Sequence, residues 1–175
     1  MIQAALRLLG LRNPAPPAFA RESYGETLST QPNGVLSRTP IGPVLMLDID
    51  GVLHPAQSGT LLYAPLLEAW LRMHPTVDVV ISSNWRDTHT LDELRNRFAP
   101  DLRARIIGTT PSTTTGYRED EILELVQKYR ITSWAALDDR PDQFPKTGKT
   151  HLVITEYFDG ISHGHLDRVA VLLSL

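Results

Sequence analysis

From Val44 onward the apolar residues follow two alternating patterns. Five short apolar runs have strand length: "VLML" (Val44–Leu47), "VDVVIS" (Val77–Ser82), "ARIIG" (Ala104–Gly108), "SWAALDD" (Ser133–Asp139) and "HLVIT" (His151–Thr155). Their brevity and β-branched content predict β-strands. Longer segments with helical spacing lie between them. "APLLEAWLRMH" (Ala64–His74) puts Leu66, Leu67, Trp70 and Leu71 on one face. "TLDELRNRFA" (Thr90–Ala99) repeats at Leu91, Leu94 and Phe98, with Asp92 and Glu93 near its start, where the helix dipole favours acids. "REDEILELVQKYR" (Arg118–Arg130) turns Ile122, Leu125, Val126 and Tyr129 inward, and "HLDRVAVLLSL" predicts a last helix. Strands separated by helices of this length imply βαβ units. The expected fold is α/β, a Rossmann-like three-layer sandwich with a mainly parallel central sheet. Right-handed crossovers then bring all strand C-termini to one edge, where ligands of open α/β sheets bind.

Residues 1–42 break this pattern. Pro14, Pro16, Pro17, Pro32 and Pro40 punctuate a stretch rich in small polar residues. It reads as a short amphipathic helix and a Pro-rich, partly disordered arm, ahead of a domain over residues 43–175. There is no internal repeat. "AFA" (Ala18–Ala20) imitates a signal-peptidase site, but Arg7 interrupts the preceding apolar run and no basic residue comes before it. No segment approaches the roughly 20 apolar residues of a membrane helix, so the expectation is a cytoplasmic protein without a membrane partner. A net charge of -3 gives no general nucleic-acid footprint, though a local basic groove remains open. The chain has no cysteine, which excludes disulfides and thiolate metal sites.

Chemistry concentrates where strands end. Asp48 and Asp50 follow the first strand, and Asp138 and Asp139 end the fourth. Carboxylates crowded at one sheet edge repel one another unless a cation joins them. Oxygen donors without histidine favour a hard ion, Mg²⁺ before Ca²⁺ or Zn²⁺, and Mg²⁺ commonly pairs one or two carboxylates with a substrate phosphate. A single such aspartate would be read as a helix cap or turn residue; two acidic pairs on two strand ends favour a magnesium-assisted phosphoryl site.

The motifs resemble the haloacid dehalogenase-like (HAD) superfamily. "DIDGVL" is similar to its first motif, "VVISSNW" to the second, Arg118 in "GYREDEI" to the third, and "ALDD" to the fourth, in that order. The wider combination, with "IIGTTP", "HLVIT" and "DGIS", resembles the cap-less HAD domain of Swiss Army Knife RNA repair proteins. The resemblance implies a Mg²⁺-dependent phosphatase. Asp48 would be the nucleophile that forms an aspartyl phosphate. Asp50 would protonate the leaving oxygen, then activate water, and touch the metal through its backbone carbonyl. Gly51 would let the chain turn and its backbone approach phosphate. Ser83, or else Ser82, would hydrogen-bond the phosphoryl group, with Asn84 beside it. Arg118 would neutralise charge on the phosphoryl oxygens. Asp138 would bind Mg²⁺, supported by Asp139, with Asp142 as a competitor for that second role.

Other residues are weaker candidates. Arg86 reads equally as a substrate contact or a salt-bridge residue. Trp85 reads as packing rather than a stacking platform, and His54 as a loop histidine without a catalytic role. The arginines of "RNRFAPDLRAR" read as a solvated helix end. "KTGKT" lacks the first glycine of a P-loop, and "HGH" lacks further zinc ligands. About 30 residues separate the first motif from the second, and about 35 separate the second from Arg118, too few for a folded cap. An open site suits large phosphorylated substrates, including polynucleotide ends. The contrasting reading is a catalytically silent phosphate-binding or interaction module.

Overall fold

The structure, a computed structural model, describes residues 31–175. The N-terminal helix expected from sequence lies outside the described residues. The sheet has order β3-β2-β1-β4-β5 and every pairing is parallel. Its strands are β1 (Val44–Leu47), β2 (Asp78–Ile81), β3 (Ile106–Thr109), β4 (Trp134–Asp138) and β5 (Leu152–Ile154). The helices are α1 (Ala64–Met73), α2 (Leu91–Arg95), α3 (Arg118–Tyr129), α4 (Gly148–His151) and α5 (His163–Leu173).

The continuous apolar run of β1 reflects burial on both faces, as expected for the middle of a parallel sheet. Alternation sends Leu45 and Leu47 into one core with Leu67, Trp70 and Leu71 of α1 and Leu166 and Val169 of α5. Val44 and Met46 enter the opposite core, against Ile122 and Leu125 of α3. Two apolar layers therefore cover one sheet, the three-layer sandwich the periodicity implied. Each fully buried Leu or Ile contributes about 1.5–3 kcal/mol through area removed from water.

Element ends differ from expectation for local reasons. Thr90 caps α2, its hydroxyl accepting from the Glu93 amide while the Glu93 carboxylate accepts from the Thr90 amide. That helix stops at Arg95, and Arg103–Arg105 forms a 3₁₀ turn, so β3 starts later than the sequence suggests. "KTGKT" supplies the one-turn α4 leading into β5. "HGH" opens α5, where His165 folds back onto the capping Ser162.

Residues 34–37 run along the outer edge of β3, with the Gly34 and Ser37 amides donating to Thr109 and Ile107 carbonyls. Gly108 permits that approach, since a Cβ there would stand 2.6 Å from Leu36 Cδ2. Arg38 continues the attachment with an ion pair to the buried Asp78. No cap domain is inserted between β1 and α1 or between β2 and α3. The chain builds β1, β2 and β3 in one direction, then crosses back to place β4 on the other side of β1. That reversal opens a crevice above the C-terminal ends of β1 and β4.

Candidate active site

Asp48 is the first residue beyond β1, and Asp138 is the last residue of β4, so the switch in strand order sets two carboxylates side by side. Both are buried. Arg118, the first residue of α3, reaches between them. Its Nη1 lies 2.8 Å from Asp48 Oδ2 and 2.7 Å from Asp138 Oδ2, and its Nη2 donates weakly to Asn84 Oδ1 at 3.5 Å. The other Asp138 oxygen accepts from the Arg140 amide at 2.8 Å. Asp48, Asp138 and Asp139 each offer an oxygen, and these oxygens all lie within 4.8 Å of one another.

This crowding shifts the acids away from their ordinary titration range. Burial raises the Asp48 pKa, with Arg118, the Ile49 amide and the Ser83 hydroxyl offsetting it in part. Burial, then the charge of Asp48, push Asp138 up to about 7 despite Arg118. Asp139 is raised by the same two causes in the same order. For Arg118 the effect of burial is outweighed by the two carboxylates, which hold it protonated. One guanidinium does not compensate three acids. The set still has room for a cation of positive charge two, and its all-oxygen donors fit Mg²⁺. Asp48, Asp138 and Asp139 are the side chains that would hold it.

Asp142 drops out of the metal set. Its carboxylate is exposed and paired with Arg140 at 2.9 and 2.8 Å, which lowers its pKa to about 2.

Gly51 has φ +68°, and a Cβ there would lie 2.6 Å from Asp139 Oδ2. Its amide donates to the Ala56 carbonyl and its carbonyl accepts from Thr155 Oγ1. The Gly51 amide and carbonyl are thus bonded within the chain, and the missing Cβ leaves room for Asp139.

Asp50 points away from the trio, toward an aromatic wall. Trp85 Nε1–H donates to Asp50 Oδ2 at 3.1 Å, and His54 Nε2 stands 3.2 Å from Asp50 Oδ1, outside hydrogen-bond alignment. His54 is fully buried, with Nδ1 accepting from the Gly59 amide. Trp85 is thus more than packing, and His54 is a neighbour of the Asp50 carboxylate rather than an idle loop residue. The Asp50 carboxylate lies outside the cluster of Asp48, Asp138 and Asp139 oxygens but lines the same cleft.

The two serines separate. Ser83 lines the cleft above Asp48, whereas the Ser82 hydroxyl is buried without a partner among the described residues. Asn84 lines the same cleft. Arg86 does not. Its Nη2 bonds both Glu121 oxygens at 2.7 and 2.8 Å and its Nη1 donates to the Ser83 carbonyl at 3.1 Å, all in a buried setting. The substrate-contact reading of Arg86 is replaced by a structural one: it ties the Ser83 loop to α3.

The cleft has a volume of about 390 Å³ and opens to solvent. Gln57, Arg140 and Tyr157 complete its rim, and sequence reasoning named none of them. Each sits in a loop that follows a strand C-terminus, so position alone could have flagged those loops, but no residue-type signal marked the individuals.

An all-parallel sheet with an aspartate directly after β1, an acid pair at the end of β4 and a basic residue opening the intervening helix is the arrangement of haloacid dehalogenase-like domains. The chain belongs to the family described as the HAD domain in Swiss Army Knife RNA repair proteins, whose model matches residues 44–166. No curated protein and no solved structure matches the chain. Membership implies a hydrolase of phosphohydrolase type. Among the described residues, no helix is long and apolar enough to cross a membrane.

Proposed function

We propose that the domain is a Mg²⁺-dependent phosphatase that cleaves a phosphomonoester through an aspartyl phosphate, on a large substrate such as a polynucleotide end. The observation that carries this reading is the meeting of Asp48, Ser83, Arg118, Asp138 and Asp139 around one open cleft. The family description adds RNA ends to the substrates worth testing.

Asp48 attacks phosphorus, and the bond to the leaving oxygen breaks as Asp50 gives that oxygen a proton. Water then attacks the phosphorus of the aspartyl phosphate. Asp50 takes its proton, and phosphate leaves with Asp48 restored. Arg118 favours the ionised form of Asp48 against the effect of burial and offers charge to the phosphoryl oxygens, while the Ser83 hydroxyl donates to one of them. Trp85 and His54 keep the Asp50 carboxylate turned from the acid trio, so that it meets the leaving group and not the metal. Mg²⁺ at Asp48, Asp138 and Asp139 would screen the repulsion between carboxylates and an incoming phosphate.

Phosphate release from 3′- and 5′-phosphorylated RNA oligonucleotides and from p-nitrophenyl phosphate, with Mg²⁺ or with EDTA, tests the proposal. Turnover that needs Mg²⁺ and disappears in Asp48→Asn supports it. Full turnover in EDTA, or in Asp48→Asn, refutes it. Phosphate binding without turnover would return the silent-module reading.

A further inference from the structure

The loop after β5 places two aromatic rings where the phosphoryl chemistry does not need them. Tyr157 lines the cleft that holds Asp48 and Arg118. Phe158, next to it, is 74% exposed, and the two rings meet edge to face with centroids 4.9 Å apart. Phe158 thus presents a large apolar face to solvent directly beside a ring that lines the phosphoryl cleft.

The loop is built rather than loose. Asp159 and Gly160 amides both donate to the Glu156 carbonyl, closing a tight turn. Gly160 takes φ +69°, where a Cβ would lie 2.6 Å from the Tyr63 ring. The Tyr157 carbonyl accepts from the Ala56 amide at 2.7 Å, joining this turn to the loop that carries Asp50 and Gly51. The rings are thereby held at a set place beside the nucleophile.

We propose that Tyr157 and Phe158 form a stacking site for the nucleobase of the terminal nucleotide whose phosphate lies over Asp48. The proposal rests on the phosphatase reading and names the substrate class of that site. A flat base offers a π-face to the exposed Phe158 ring, and stacking of this kind tolerates any base. Gln57 and Arg140 on the same rim carry the donors and acceptors a base edge or ribose requires. Charge limits the contact to one nucleotide. Glu156 and Asp159, both exposed, flank the two rings and repel a phosphodiester backbone running across the turn. The strand beyond the terminal residue therefore leaves by another path.

The test compares adenosine 5′-monophosphate with ribose 5-phosphate, which has the same phosphate and no base. The full chain is assayed for turnover with Mg²⁺ and, separately, for equilibrium binding of both compounds with Ca²⁺ in place of Mg²⁺. Stacking of one base predicts that the nucleotide is favoured by about five- to 150-fold. In the double variant Tyr157→Ala, Phe158→Ala that ratio falls toward one, and Phe158→Trp restores it when Tyr157 is kept. Both side chains are substantially exposed, so loss of folding is not expected, and thermal unfolding checks it. A nucleotide-to-ribose ratio near one in the wild type, or a ratio the double variant leaves unchanged, overturns the proposal. So does a phosphotyrosine peptide preferred over the nucleotide, which would assign the rings to a protein substrate. If neither compound turns over, the phosphatase reading is judged by the RNA and p-nitrophenyl phosphate assays, and the binding arm decides the stacking site alone. Nucleotide-selective binding lost in the double variant supports the stacking site; equal binding, or none, overturns it.

Discussion

Protons and Mg²⁺ should compete for the same oxygens. Asp138, held near about 7 by burial and by the charge of Asp48, must lose its proton before a cation binds. At pH 6 a group of that pKa is roughly nine-tenths protonated, and at pH 8 roughly one-tenth. The apparent Mg²⁺ affinity should therefore weaken about tenfold between pH 8 and pH 6, and more steeply if Asp48 or Asp139, both also raised, releases a proton in the same step. Calorimetry in buffers of different ionisation enthalpy would count the protons: about 0.5 per Mg²⁺ at pH 7 from Asp138 alone, rising toward about one at pH 6. Stability carries the same signature with a definite sign. A carboxylate whose folded pKa is raised makes the folded state bind more protons than the unfolded one between the two values. The metal-free domain should then lose stability as pH rises from about 4 to about 7. Added Mg²⁺ should raise the melting temperature more at pH 8 than at pH 6. A Mg²⁺ affinity that stays flat across this range, with no proton release, would show that Asp138 does not titrate against the metal.

Four substitutions probe the remaining parts. Asp48→Asn should remove turnover by on the order of 10⁴-fold and abolish the phosphoenzyme, whereas Asp50→Asn should cost about 10²–10⁴-fold with alkyl phosphates and far less with p-nitrophenyl phosphate, which needs little protonation. Equal losses for good and poor leaving groups in single-turnover assays would contradict the separate roles. Arg86→Ala strands a buried Glu121 and should cost about 3–5 kcal/mol in urea unfolding at pH 8. The deficit should shrink toward pH 5, because burial already raises the Glu121 pKa and loss of Arg86 raises it further. A pH-independent deficit would argue against a charge origin. Gly51→Ala should push Asp139 aside and weaken Mg²⁺ binding by roughly tenfold or more, measured by calorimetry at pH 8. Unchanged affinity would remove Asp139 from the metal set.

The parts of the fold visible in sequence were those with a strong local pattern. β1, and β2 and β4 over Val79–Ile81 and Trp134–Leu137, are apolar because both faces are covered, and Asp48, Ser82 and Asp138 follow at once, so the crevice could be placed from the sequence. The one-turn α4 escaped because four residues carry no period. The early end of α2 escaped because Leu94 and Phe98 both remain buried although the helix stops between them. Within the site, Asp48, Ser83, Arg118, Asp138 and Asp139 stood in recognisable motifs. Arg86 stayed open between a substrate contact and a salt bridge, since its partner Glu121 is 35 residues away and only the packing of α3 brings them together. His54 and Tyr157 lay in loops whose path depends on long-range contacts such as Ala56 to Tyr157.

One turn of α3 gathers most of these long-range contacts. Arg118 joins Asp48 to Asp138, and Glu121 holds Arg86 and through it the Ser83 loop. Glu119, fully buried between them, accepts from the Lys146 amide and the Thr147 hydroxyl and so fixes the segment after Asp139. Three residues of this one turn thus lock the reactive groups into one unit that changes together or not at all. The rim loops at Gln57 and Tyr157 hang outside that lock. Selection for a new substrate can change the side chains on those rims, while the reaction itself stays as fixed as the helix turn that organises it.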